Sequence, residues 1–189
     1  MFKLISKLIL SLAGWKVVGE YPYHLRKTIV IMAPHTSMWD FVIGRLGFSV
    51  LNVPVRFLIK KEMFRFPFGG LLKALGGIPV DRGKRNNMVD YVIHLFETHD
   101  DLVVVITPEG TRKYTEHWKK GFWYIAEKAK LKIVLGFLDY KKKEGGVGNL
   151  IITPTPDFNA DFKIIQDFYK GKTARHPEKF NLSPKTHKE

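Results

Sequence analysis

Residues 28–40 read TIVIMAPHTSMWD, and the fold is read outward from this stretch. Thr28 to Ala33 is a short apolar run stopped by Pro34, as a buried strand would be. Pro34 to Ser37 is loop, and a helix follows Trp39. Short runs rich in Val and Ile alternate with longer amphipathic stretches along the rest of the chain, the rhythm of strands alternating with helices. Further strands are predicted at Val55 to Ile59, Ile78 to Val80, Leu102 to Thr107, Lys132 to Leu138 and Leu150 to Thr153. Helices are predicted after Phe66, Gly121 and Ala160, and over Asn86 to Thr98, where Met88, Tyr91, Val92, Leu95 and Phe96 form one apolar stripe. The expected fold class is α/β: a mixed, largely parallel central sheet with flanking helices, preceded by an N-terminal amphipathic membrane-surface helix.

A chain of 189 residues suits one domain with a sizeable core. Its 31 Lys and Arg against 18 Asp and Glu leave a net charge of +13, which implies an acidic partner: nucleic acid, an anionic bilayer, a phosphorylated substrate or an acidic carrier protein. With no cysteine there is no disulfide framework, no thiolate nucleophile and no cysteine-based metal site.

Residues 1–14 form the first segment. Phe2, Ile5, Ile9 and Leu12 recur at helical spacing while Lys3, Lys7 and Ser11 interrupt them. Their apolar length falls short of the roughly 20 residues that cross a bilayer, so an interfacial helix is expected, with a secretory signal and a helix covering the core as alternatives. Residues 15–171 carry the domain proper. Residues 172–189, with Lys172, Arg175, Lys179, Lys185 and Lys188, two prolines and few apolar side chains, are expected to be a basic flexible tail.

Three constellations carry chemistry. In the first, His35 stands in a loop after the strand ending at Ala33, and Asp40 lies five residues on. On a regular helix the two would point about 140° apart, so they can meet only across a turn, with His35 before the helix and Asp40 in its first turn. The carboxylate can then hold one imidazole nitrogen and leave the other free as a base. One His and one Asp are two ligands short of a usual zinc set, and the chain has no G-x-S-x-G elbow, so no metal is expected and the base would act directly on a substrate hydroxyl. In the second, Thr107 to Arg112 follows the most apolar strand. Pro108 and Gly110 force a tight turn, Glu109 can fix the loop, and Thr111, Arg112 and nearby N–H groups can grip a phosphate. In the third, Gly76 to Gly83 contains Arg82, and Lys61 lies upstream. If the strands are parallel, His35, Lys61, Arg82 and Arg112 emerge on one rim, a base among cations.

These residues resemble the lysophospholipid acyltransferases, the glycerophosphate and 1-acylglycerol-3-phosphate acyltransferase group with its His-x4-Asp motif. His35-Thr36-Ser37-Met38-Trp39-Asp40 looks like the family's first block, Gly77-Ile78-Pro79-Val80-Asp81-Arg82 like the second and Pro108-Glu109-Gly110-Thr111-Arg112 like the third, in the same order and rough spacing. The resemblance implies O-acyl transfer in phospholipid biosynthesis: His35 deprotonates an acceptor hydroxyl, Asp40 orients His35, and the oxygen attacks an acyl thioester without a covalent enzyme intermediate or any cofactor. It further implies that Glu109 and Arg112 shape the acceptor site, that Arg82 with Lys61 holds its phosphate, and that Gly110 permits the close turn. The implied partners are an acyl carrier protein or acyl-CoA donor, a phosphate-bearing lysolipid acceptor and an anionic membrane surface, with the protein peripheral on the cytoplasmic face of the cell membrane and no role for nucleic acid. Two departures stand out: Thr107 occupies a position where many members have Phe, and Leu135-Gly136-Phe137 lacks the proline often found in the fourth block. They leave the acceptor open between 1-acylglycerol-3-phosphate, glycerophosphate, another lysolipid and an amino-acid lipid. A non-catalytic basic domain that binds nucleic acid or lipid is the competing reading.

Overall fold

The computed structural model describes residues 2–81 and 85–183. Among them seven strands form one sheet: β1 (Lys16–Val18), β2 (Lys27–Ala33), β3 (Val55–Lys60), β4 (Gly77–Val80), β5 (Leu102–Ile106), β6 (Lys132–Asp139) and β7 (Glu144–Ile152), in the order β1-β7-β6-β2-β5-β3-β4. From β6 to β4 all neighbours are parallel. The hairpin partner β7 runs antiparallel to β6, and β1 runs parallel to β7. The sheet is therefore mixed and largely parallel, as expected.

Strand β2 lies between β5 and β6 and is covered on both sides, which is why it reads as an unbroken apolar run. Its alternate residues feed two cores. Ile29, Ile31 and Ala33 join Val104, Val92, Phe96 and Phe122 on one face. Val30 and Met32 join Val103, Val105, Phe48 and Leu10 on the other. Helices α4 (Arg85–Thr98), α5 (Gly121–Lys128) and α6 (Phe158–Tyr169) supply the first core, while α1 (Phe2–Leu12) and α2 (Met38–Val50) supply the second. The short α3 (Gly69–Ala74) follows a 3-10 turn at Lys61–Phe64.

α1 both covers the core and faces outward. Ser6 and Leu10 are buried, whereas Leu4, Leu8 and Leu12, with Ile5 and Ile9, are exposed. Among the described residues no helix is long and apolar enough to cross a membrane.

Two differences from the sequence reading have physical causes. Strand β7 begins at Glu144 rather than Leu150, because its early glycines allow close approach rather than break the strand. A Cβ on Gly146 would stand 1.9 Å from the Val18 carbonyl oxygen, and one on Gly148 would stand 2.3 Å from the Phe168 ring. Residues 172–183, expected as a flexible tail, are instead docked on the domain, while 184–189 lie outside the described residues. Ala174 and Ser183 are buried, and Phe180 and Leu182 pack against the first core. The Trp118 indole N–H donates to the Asn181 carbonyl at 3.1 Å, the Trp118 backbone N–H to Ser183 Oγ at 3.2 Å, and the Gln166 amide to the Leu182 carbonyl at 2.6 Å. A few apolar anchors aimed at an aromatic cluster suffice where average composition predicted nothing.

Deleting residues 172–189 is expected to cost about 2 kcal/mol or more from the two lost apolar anchors, or about 4–8 °C in Tm for a chain of this size. Circular dichroism melting would check it, and an unchanged Tm would mean that the docked segment adds no stability.

Candidate active site

The parallel strands bring the C-terminal ends of β2, β3, β4, β5 and β6 to one edge of the sheet. Loops leaving that edge carry the groups that sequence pattern marks for chemistry. After β2, Ser37 caps α2: its Oγ accepts the Trp39 N–H at 3.2 Å, and Asp40, the third helical residue, accepts the Ser37 N–H at 2.7 Å. This reciprocal cap sets Asp40 facing back across the turn. His35 Nδ1 consequently stands 3.5 Å from Asp40 Oδ2. The two residues meet across the turn as their spacing requires, and among the described residues Nε2 of His35 takes no hydrogen bond.

Asp40 is almost wholly buried and well supplied with donors. Oδ2 also accepts the Thr36 N–H at 2.6 Å, and Oδ1 accepts the Tyr140 hydroxyl at 2.6 Å. Burial disfavours its charge, but the His35 ring, the Tyr140 hydroxyl and the amides of Ser37 and Thr36 outweigh it, so Asp40 ionises below the usual carboxylate range. Tyr140 leaves the end of β6, and burial beside the Asp40 charge raises its own pKa, so it remains a donor. The Arg175 guanidinium lies 5.5 Å from the Trp39 ring and 6.0 Å from the Tyr140 ring. The His176 N–H donates to Thr36 Oγ1 at 3.2 Å, so the docked C-terminal segment lines this loop.

Glu109 joins the second constellation to the first. Its two carboxyl oxygens lie 2.9 and 3.2 Å from the His35 backbone nitrogen, whose N–H they accept. It is buried, and burial raises its pKa to about 8, partly opposed by the His35 N–H and reinforced by the nearby Asp40 charge. At Gly110 the backbone takes φ +67°, a left-handed conformation that favours glycine, and the Lys119 side chain lies over it. The Gly110 N–H donates to the Thr107 carbonyl at 3.0 Å, and Thr111 Oγ1 accepts the Lys113 N–H at 3.2 Å. Arg112 is exposed just beyond them.

The expected cations differ in their placement. Lys61 emerges on the predicted edge but pairs with Asp81 at 2.7 Å. Two strand spacings, roughly 10 Å, separate β3 from β2. Lys61 can therefore serve a substrate group extending from the dyad, not the dyad itself. Arg82 lies outside the described residues. Among the described residues no group of three or more His, Cys, Asp or Glu side chains is placed to hold a metal ion. Sequence reasoning missed Tyr140, Lys119, Arg175 and the fully buried Tyr169, whose hydroxyl lies 3.0 Å from the Ile31 carbonyl and 2.7 Å from that of Gly136, beneath the site. For Tyr140 the available signal was its position one residue past a strand on the active edge.

A family model described as Acyltransferase matches residues 15–135. Among solved structures, the chain is similar to the crystal structure of the 1-acyl-sn-glycerophosphate (LPA) acyltransferase, PlsC, from Thermotoga maritima, with a TM-score of 0.60 and 14% sequence identity, over 92% of this chain and 80% of that one. At that identity the likeness is one of fold. No curated protein matches the chain.

Tyr140→Phe removes one donor from a charged carboxylate and is expected to lower turnover by about tenfold with KM little changed, as steady-state kinetics would read. Glu109 gives a pH signature. Because its folded pKa lies above the ordinary 4.5, its contribution to stability is complete only below about pH 4.5 and is lost as pH rises through about 8. Glu109→Gln retains an oxygen for the His35 N–H and cannot ionise, so it is expected to flatten that decline in urea-unfolding midpoints. An equal decline in both proteins would assign it to other groups.

Proposed function

The chain belongs to the acyltransferase family, and from that membership we propose that it moves a fatty acyl group from a thioester to the hydroxyl of a phosphate-bearing lysolipid, 1-acylglycerol-3-phosphate above all, to give phosphatidic acid. The observation that carries this reading is the His35 ring held against a buried, ionised Asp40, with Nε2 left for a hydroxyl. In the proposed step, Nε2 takes the acceptor's proton as its oxygen bonds to the thioester carbonyl carbon. The carbon–sulfur bond then breaks, and the departing thiolate takes the proton from the imidazolium. Asp40 steadies the positive ring between these events.

The acceptor's phosphate is assigned to the cationic side of the rim. Thr111, Arg112 and the N–H groups of the Gly110 turn lie nearest in sequence to Glu109, which touches the His35 loop, and Lys61 and Arg82 extend the grip. Glu109, neutral below about pH 8, spares an anionic acceptor a second negative charge beside Asp40. The name of the Thermotoga maritima protein of the same fold, an LPA acyltransferase, favours this acceptor over another lysolipid or an amino-acid lipid. The donor is acyl carrier protein or acyl-CoA, both of which present negative charge to a surface of net +13. The exposed apolar side of α1, with Lys3 and Lys7 on its flank, favours peripheral attachment to the cytoplasmic face of the membrane.

The test pairs labelled acyl-carrier-protein and acyl-CoA thioesters with detergent-dispersed lysophospholipids and follows both thioester loss and acylated product. Wild type is expected to form product with lysophosphatidic acid. His35→Ala, shown to be folded by circular dichroism, is expected to lose about 10²- to 10⁴-fold in rate. Full activity in a folded His35→Ala protein would sink the mechanism.

A further inference from the structure

We propose that the corner formed by the 3-10 turn Lys61–Phe64, the following residues 65–68 and α3 is a second bilayer-contacting element, built to dock on an anionic lipid surface. The proposal rests on the interfacial reading of α1 above and extends it to a separate part of the chain.

Phe66 is 99% exposed, and Met63, Phe68 and Leu71 are each more than half exposed. Single exposed apolar residues are ordinary, but four large ones within nine residues form a patch of the kind that marks a docking surface. The corner is also firmly built. The N–H groups of Phe68 and Gly69 both donate to the Arg65 carbonyl, at 3.0 and 3.1 Å. A Cβ on Gly69 would stand 2.2 Å from the Phe64 carbonyl oxygen, so only glycine lets the chain fold back this tightly. Phe64 tucks inward, 3.0 Å from a Cβ placed on Gly77. The tips of Phe66 and Phe68 are thus held outward by a hydrogen-bonded frame, at the entropic cost of a rigid rather than a mobile segment.

The charge around the patch names the occupant. Lys60, Arg65 and Lys73 lie in the same run as a single acid, Glu62, while Lys61 is paired with Asp81. Exposed aromatic side chains interspersed along the chain with basic ones suit a headgroup region, where rings sit at the apolar boundary and cations meet lipid phosphates. Arg45 supplies continuity with α1: its Nε donates to the carbonyl of Leu75, the residue that ends α3, at 3.1 Å, and its guanidinium lies 5.2 Å from the Phe2 ring. The start of α1 and the end of α3 therefore border one another across α2. The corner also leaves β3 on the same edge that carries His35, so a bilayer touching both elements would lie beside the catalytic rim.

Because the chain has no cysteine, a single introduced thiol reports on one place only. Phe66→Cys, Leu71→Cys, Leu4→Cys and Lys128→Cys are each labelled with an environment-sensitive nitrobenzoxadiazole dye. Each is titrated with vesicles of equal parts phosphatidylglycerol and phosphatidylcholine, with vesicles of phosphatidylcholine alone, and with acyl carrier protein. Labels at 66 and 71 are expected to shift to the blue with the anionic vesicles, as at 4, while the label at 128 on α5 stays in water. Affinity for pure phosphatidylcholine is expected to be about tenfold weaker or less. A shift at 4 without one at 66 or 71 would overturn the proposal, as would equal affinity for the two vesicles. A shift at 66 with acyl carrier protein but not with vesicles would overturn it in favour of a donor-docking surface. Silence at every position would overturn it together with the membrane contact of α1. Acyl transfer by wild type in detergent is measured separately, so failure of the chemistry is told apart from failure of the docking surface.

Discussion

The buried carboxylate of Asp40 is the constraint around which the site is arranged. An unpaired charge so placed would cost several kcal/mol, or it would take up a proton. Here it accepts the N–H groups of Thr36 and Ser37 and the hydroxyl of Tyr140, and it faces the His35 ring. Those donors come from the loop after β2 and the end of β6, while the carboxylate itself sits in the first turn of α2, so satisfying it fixes three pieces of backbone against each other. A second carboxyl lies close by and meets the opposite fate. Among the described residues only the His35 backbone N–H donates to the buried Glu109, and burial lifts its pKa to about 8. The difference in donor number separates two carboxyls in one small volume into one that is charged and one that is neutral at neutral pH, the arrangement that lets acid and base roles coexist.

The sheet order makes that arrangement possible. β2 lies between β5 and β6, and all three run parallel, so the loop carrying His35 is flanked by the loop carrying Glu109 and by Tyr140. Tyr169, rooted in α6, reaches carbonyls of both β2 and β6 just below. The outer strands β3 and β4 place Lys61 and Asp81 farther out, where they pair with each other. The dyad proposed to carry the chemistry therefore sits at the centre of the edge and the Lys61–Asp81 pair toward its periphery.

What the sequence made legible were the local features. The run from Thr28 to Ala33 announces a buried strand, and a helix beginning after the His35 loop puts Asp40 in its first turn, which is why a His and an Asp five apart can meet. Gly110 marks its tight turn from composition alone. What stayed hidden depends on distant partners. Tyr140 lies 100 residues from Asp40, and nothing in its neighbourhood says which carboxylate it serves. The start of β7 at Glu144 was not legible, because the use of its glycines, close approach to Val18 and Phe168, exists only once those residues are in place. The segment 172–183 read as a solvated tail because its few apolar residues were counted rather than located. Arg82, named from the second block, lies outside the described residues.

The division between the family-matched stretch and the remainder sharpens this point. Residues 15–135 contain His35, Asp40, Glu109 and Arg112, the groups that any reading of motifs would find. Tyr140, Tyr169, Arg175 and His176 lie beyond it, and each touches the matched site: Tyr140 through Asp40, Tyr169 through Ile31, Arg175 through Trp39 and His176 through Thr36. The groups proposed to react are thus carried by one part of the chain, and side chains that contact them or their neighbours by another that folds back over them. In such an architecture the C-terminal segment can vary the depth, charge and water access of the site while the dyad stays fixed. Differences in substrate among chains sharing these blocks are therefore to be sought as much in what packs over the dyad as in the blocks themselves.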